Sequence, residues 1–102
     1  MRLIATNLID EFCSLHPNAR APVAHWRQAM SGTSFPDYVH LRQMFRHADY
    51  AAPFTIFNVG GNKYRIISRI EYSTDTVQIR WVLTHSEYDK WTRQFLKGQI
   101  KS

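Results

Sequence analysis

His85 and Tyr88 lie three residues apart in the run Thr84-His85-Ser86-Glu87-Tyr88-Asp89-Lys90. An imidazole and a phenol can both move protons near neutral pH. With fixed cations beside them they have the components of RNA cleavage without a metal: a base for the ribose 2′-hydroxyl, an acid for the leaving 5′-oxygen, and positive charge for the phosphorane. His85 falls where a strand gives way to a helix, so the positive helix end disfavours the imidazolium and keeps a neutral base available. A histidine at a helix start can instead serve only as a cap, and a tyrosine at this spacing only as packing.

The cations come from the preceding run, Phe57-Asn58-Val59-Gly60-Gly61-Asn62-Lys63-Tyr64-Arg65. Its glycines do not have the Gly-x-x-x-x-Gly-Lys-Ser/Thr spacing of a phosphate loop leading into a helix. They fit a two-residue hairpin turn with positive φ at both positions, which sets Val59 opposite Asn62 and Phe57 opposite Tyr64. A second hairpin through Ser73–Thr76 pairs Tyr72 with Val77 and, counting back, Arg69 with Arg80. One face then holds Phe57, Val59, Tyr64, Ile66, Ile70, Tyr72, Val77, Ile79, Trp81 and Leu83. The other is a cationic stripe of Asn58, Lys63, Arg65, Arg69 and Arg80 with Ile56, Ile67 and Val82 between them, and Glu71 close enough to neutralise one arginine. Arg65 is expected to be exposed in its middle, where its loss would leave the fold intact.

The elements that must position these groups follow from periodicity. A segment over 1–5 fits a short strand. Thr6 caps a helix carrying Leu8, Phe12 and Leu15, which Pro17 stops. Asn18 caps a second, with Val23, Trp26 and Met30 on one stripe, and Asp37 to Arg46 forms a third around Leu41, Met44 and Phe45. After Pro53 the strands run over 55–59, 63–72 and 77–83. Thr84 and Glu87 match a capping box opening a last helix to about Leu96, burying Tyr88, Trp91 and Phe95. Helices, a meander and a final helix make an α+β fold: a small antiparallel sheet with helices packed on one face.

With 102 residues the chain reads as one domain, 1–102. Lys plus Arg number 13 against 8 Asp plus Glu, and nine of the 13 are arginine, whose planar fork suits phosphate. Cys13 has no partner for a disulfide and no activating neighbours, which fits a reducing cytoplasm. No signal peptide or membrane-length apolar run is present. His16, His25, His40 and His47 lack metal-ligand spacing, so no metal or other cofactor is expected.

The run FNVGGNKYRII and the later VLTHSEYDKW together resemble the HigB toxins, mRNA interferases of bacterial type II toxin–antitoxin systems within the RelE superfamily. The first half is similar only in length and helix pattern. The resemblance implies a RelE-like fold and metal-independent endoribonuclease cleavage of mRNA, generally on the translating ribosome, with neutralisation by a HigA-like helix-turn-helix antitoxin. It implies Arg65, His85 and Tyr88 as the catalytic positions. Histidine in place of arginine at the strand end shifts that position toward proton transfer. Asn58, Lys63, Arg69, Arg80 and Lys90 are the expected RNA contacts. The alternative class is a non-catalytic basic module that binds RNA or an acidic protein through the same stripe.

Overall fold

A computed structural model describes residues 1–102. In chain order the elements are β1 (Arg2–Ile4), α1 (Asn7–Leu15), a 3₁₀ turn (Pro17–Ala19), α2 (Arg20–Ser31), α3 (Tyr38–Met44), β2 (Asp49–Ala51), β3 (Phe54–Val59), β4 (Tyr64–Glu71), a second 3₁₀ turn (Tyr72–Thr74), β5 (Thr76–Thr84) and α4 (His85–Leu96). The α+β class holds. The sheet has five strands in the order β1-β5-β4-β3-β2, and it is mixed rather than purely antiparallel, because β1 runs parallel to β5. The meander over β3–β5 is as expected, while β2 was missed in three residues with little β-forming character.

The helices keep their predicted stripes with local changes. In α2, Val23, Trp26 and Met30 are all buried, but the 3₁₀ turn takes up Asn18, so that residue does not cap the helix. In α1 the buried stripe centres on Ile9 and Phe12, which leaves Leu15 off its axis and 78% exposed. Asp37 caps α3 by accepting from the His40 backbone N–H at 2.9 Å, and that bond holds its carboxyl below the usual carboxylate range. Met44, expected to be apolar core, ends α3 in the open.

Both hairpins differ in register from the simple count. In the first, Val59 faces Tyr64 and Asn58 faces Arg65, so the connection spans Gly60 to Lys63 rather than two glycines. This slip is by two residues, and a shift of two returns each side chain to its predicted face. In the second, Arg69 lies opposite Gln78, not Arg80, and a bulge intervenes between Ile67 and Ser68: Ser68 faces Ile79 while Ile67 faces Trp81. Arg80 is therefore the extra residue of β5.

That one residue reverses the in–out alternation of the rest of β5. Val77 and Ile79 stay with Phe57, Val59, Tyr64 and Ile66 in the core beneath α1, α2 and α3. Trp81 and Leu83, expected in the same core, turn to the opposite face, and Val82 takes their place. There they join Phe54, Ile56, Ile67 and Trp91 in a second core covered by α4. The helices thus lie on both faces, with α4 opposite the other three. Ile56 and Ile67, anomalous as apolar gaps in a cationic stripe, are the floor on which α4 docks.

The glycine turn generates a test. Gly60 and Gly61 adopt φ of 67° and 68°, a left-handed conformation that costs a residue with a Cβ about 1–2 kcal/mol. A Cβ on Gly61 meets nothing within 4 Å, whereas one on Gly60 would lie 3.1 Å from the Tyr64 ring and 3.3 Å from Pro22. Gly60→Ala is therefore expected to lower stability more than Gly61→Ala. Equal losses in urea unfolding would contradict this packing.

Candidate active site

The site begins where β5 hands the chain to α4. Thr84 is extended; its Oγ1 accepts from the Glu87 N–H at 3.3 Å, and Glu87 Oε1 accepts from the Thr84 N–H at 2.8 Å, completing the predicted capping box. Thr84 pairs with Tyr64 across the ladder, and the His85 N–H donates to the Lys63 carbonyl at 2.9 Å. These bonds fix the first turn of α4 against the start of β4. Arg65 comes next on β4, between Asn58 on one side and Leu83 on the other, on the face that α4 covers.

Arg65, expected to be exposed, is only 7% exposed. Its position beneath α4 follows from the reversal of β5, which brings the helix over the stripe. Nη1 donates to the carbonyls of Asn62 and Tyr64, each at 3.1 Å, and the guanidinium lies 5.1 Å from the centre of the Tyr88 ring. Nη2 stands 3.4 Å from His85 Nδ1. The Tyr88 ring stacks on Trp91, centroids 6.1 Å apart and planes 16° from parallel, and Trp91 stacks in turn on Phe95. The second core therefore sets the phenol's position. No carboxylate pairs with Arg65, so its charge meets only carbonyl oxygens, an imidazole and a ring face. A buried cation compensated this way favours an anion placed beside it.

The three residues expected to be catalytic are thus brought together. A guanidinium has only donors, so a hydrogen bond between Arg65 and His85 needs the lone pair on Nδ1, with the ring proton on Nε2. Nε2 lies 3.8 Å from Asp89 Oδ2, and the His85 side chain is 56% exposed, open to a ligand. Asp89 escaped the sequence reading, although its i,i+4 spacing from His85 was the signal for it. The Asn62 and Tyr64 carbonyls escaped too, since side-chain patterns say nothing of main-chain acceptors.

The expected RNA contacts divide into groups. Asn58 and Lys63 border Arg65, and Asn58 with His47, Gly61 and Asn62 lines an open cleft of about 310 Å³. Lys90 is exposed on α4. Arg69 and Arg80 do not join Arg65: both donate to main-chain oxygens at the C-terminal end of the chain. Glu71, the expected neutraliser of an arginine, accepts from Ser73 Oγ instead.

A small mixed sheet with helices on both faces, carrying a buried arginine, a histidine and a tyrosine at the β5–α4 junction, has the makings of a compact RNA-processing toxin. The profile of the HigB toxin family, the RelE-like toxic component of a toxin–antitoxin system, matches residues 19–91. The chain belongs to that family. It is similar to the mRNA interferase HigB of Escherichia coli O6:H1, with 26% identity over 102 residues covering 97% of this chain and 99% of the relative. The mRNA interferase toxin HigB of Escherichia coli K12 is also 26% identical, over 95 residues covering 90% and 91%. The match extends into the first half, beyond the two motifs that carried the resemblance.

Burial of Arg65 changes what its removal should do. Arg65→Ala opens a cavity and strips two carbonyls of their donor, at a cost of about 1–3 kcal/mol. Arg65→Met keeps much of the volume without the charge and is expected to recover part of that stability but none of the affinity for an anion. Denaturant unfolding with RNA binding checks this. An Arg65→Ala variant as stable as the parent would contradict the observed contacts.

Proposed function

We propose that residues 1–102 form one RelE-like toxin domain, an endoribonuclease that cleaves mRNA on the translating ribosome in the cytoplasm and is neutralised by a HigA-like helix-turn-helix antitoxin. The observation that carries the reading is the buried, carboxylate-free Arg65 guanidinium 3.4 Å from the His85 imidazole and 5.1 Å from the Tyr88 ring. The relatives named mRNA interferases support it.

In the proposed reaction the scissile phosphate rests against Arg65, with Asn58, Lys63 and Lys90 contacting the RNA around it. One of His85 and Tyr88 removes the 2′-hydroxyl proton as that oxygen attacks phosphorus. The other donates a proton to the 5′-oxygen as its bond to phosphorus breaks, leaving a 2′,3′-cyclic phosphate and a 5′-hydroxyl. Arg65 stabilises the extra negative charge of the phosphorane, in a site where burial strengthens each interaction. None of these steps draws on a metal.

The competing reading, a binding module without catalysis, predicts different behaviour of the same groups. His85→Gln and Tyr88→Phe are each expected to slow cleavage by roughly 10²-fold or more, the usual worth of an acid–base group, with RNA binding nearly unchanged. An RNA with deoxyribose at the scissile position should bind and resist cutting. Parental rates in both variants, or normal cutting of the deoxy substrate, would favour the binding module.

A further inference from the structure

The two nitrogens of the His85 ring have different neighbours. Nδ1 lies 3.4 Å from Arg65 Nη2, and Nε2 lies 3.8 Å from Asp89 Oδ2, one turn further along α4. Arg65 is tethered unevenly: Nη1 donates to the Asn62 and Tyr64 carbonyls, while Nη2 has the imidazole as its only hydrogen-bonding neighbour. A phosphate that meets this guanidinium finds Nη1 engaged and Nη2 held by one long contact, so it takes Nη2 and frees Nδ1. The attacking 2′-oxygen must stand about 3–3.5 Å from phosphorus, and it therefore arrives on the Nδ1 side of the ring.

Proton uptake at Nδ1 turns the ring into an imidazolium, a charge that most of its surroundings oppose. Arg65 approaches from β4, and the first turn of α4 presents the positive end of the helix. Glu87 is committed to the Thr84 N–H at 2.8 Å. Asp89 is the one carboxylate paired with His85. At 3.8 Å it is too far to hydrogen-bond a neutral ring but close enough to pair with a charged one. Its attraction grows as the proton moves, and an interaction that strengthens toward the transition state speeds the chemical step.

We propose that Asp89 is a positioning residue for RNA cleavage: it steadies the Nε2 side of the ring and supports the imidazolium, which makes His85 the base through Nδ1 and leaves Tyr88 as the acid. The bond from the 2′-oxygen to phosphorus forms as its proton passes to Nδ1. The bond from phosphorus to the 5′-oxygen breaks as the Tyr88 hydroxyl gives that oxygen its proton. Afterwards the imidazolium returns a proton to the phenolate through water, and both groups are reset. The inference rests on the proposed function and assigns the two roles that it leaves open.

The test uses translating ribosomes programmed with mRNA that carries, at the mapped cut, either the natural 5′-oxygen or a bridging sulfur. A thiolate leaves without a proton, so the sulfur substrate needs a base but no acid. Asp89→Asn is expected to cut both substrates about 3- to 10-fold more slowly, somewhat more than an exposed ion pair is worth because bound RNA covers the site. Its RNA binding should be equal or tighter, since a negative charge has left a basic site, and Asp89→Glu should recover most of the rate. Tyr88→Phe should be slow on oxygen and close to the parent on sulfur, whereas His85→Gln should be slow on both. Parental cutting by Asp89→Asn, a defect in it that sulfur erases, an Asp89→Glu no faster than Asp89→Asn, or rescue by sulfur of His85→Gln in place of Tyr88→Phe would overturn the proposal. A parent protein that cuts neither substrate would overturn the ribonuclease reading itself; a parent that cuts, with the wrong pattern of rescue, would remove only these roles.

Discussion

The fold turns on the single extra residue in β5. Without the bulge at Arg80, β5 would place Val77, Ile79, Trp81 and Leu83 on one face, and the floor beneath α4 would keep Phe54, Ile56 and Ile67 but lose Trp81 and Leu83. With it, one strand feeds two cores: its first half closes the large core and its second half closes the small aromatic one. Burying Trp91 and Phe54 there contributes roughly 1.5–3 kcal/mol for each large side chain, which holds a helix of only twelve residues in place. As a result His85 and Tyr88 are carried over the sheet face that bears Arg65.

Position also explains the difference between the arginines. Arg65 lies under α4, held by two carbonyls and an aromatic face, so its orientation is fixed before any substrate arrives. Fixed charge costs no reorganisation as the transition state forms, and this is where electrostatic catalysis has its advantage over water. The aromatic stack from Phe95 through Trp91 to Tyr88 extends the same rigidity to the phenol. His85 is the exposed member of the group, which leaves its imidazole open to a ligand.

Much of this was legible in the residues. The capping box of α4, the stripe of α2 and the pairing of His85 with Tyr88 depend on local spacing; Arg65 joined that pair only through the family resemblance. A hairpin slip of two residues leaves strand parity intact. A bulge does not. It adds one residue to one strand without a glycine or proline to mark it, so Trp81 and Leu83 were assigned to the wrong core and α4 to the wrong face. The exposure expected of Arg65 failed for the same reason, because its burial depends on a helix that the straight register places elsewhere. The occupancy of Arg69 and Arg80 by main-chain oxygens was beyond reach, since backbone acceptors have no sequence signature.

The central claim, that a 2′-hydroxyl attack is assembled at Arg65, His85 and Tyr88, is tested most directly by the chemistry of the cut ends. Mass spectrometry of RNA fragments made by the purified protein should find 2′,3′-cyclic phosphate, or the 3′-phosphate it hydrolyses to, on one fragment and a 5′-hydroxyl on the other. Fragments bearing 5′-phosphate and 3′-hydroxyl would show that water, not the ribose, attacked phosphorus, and would contradict the assignment.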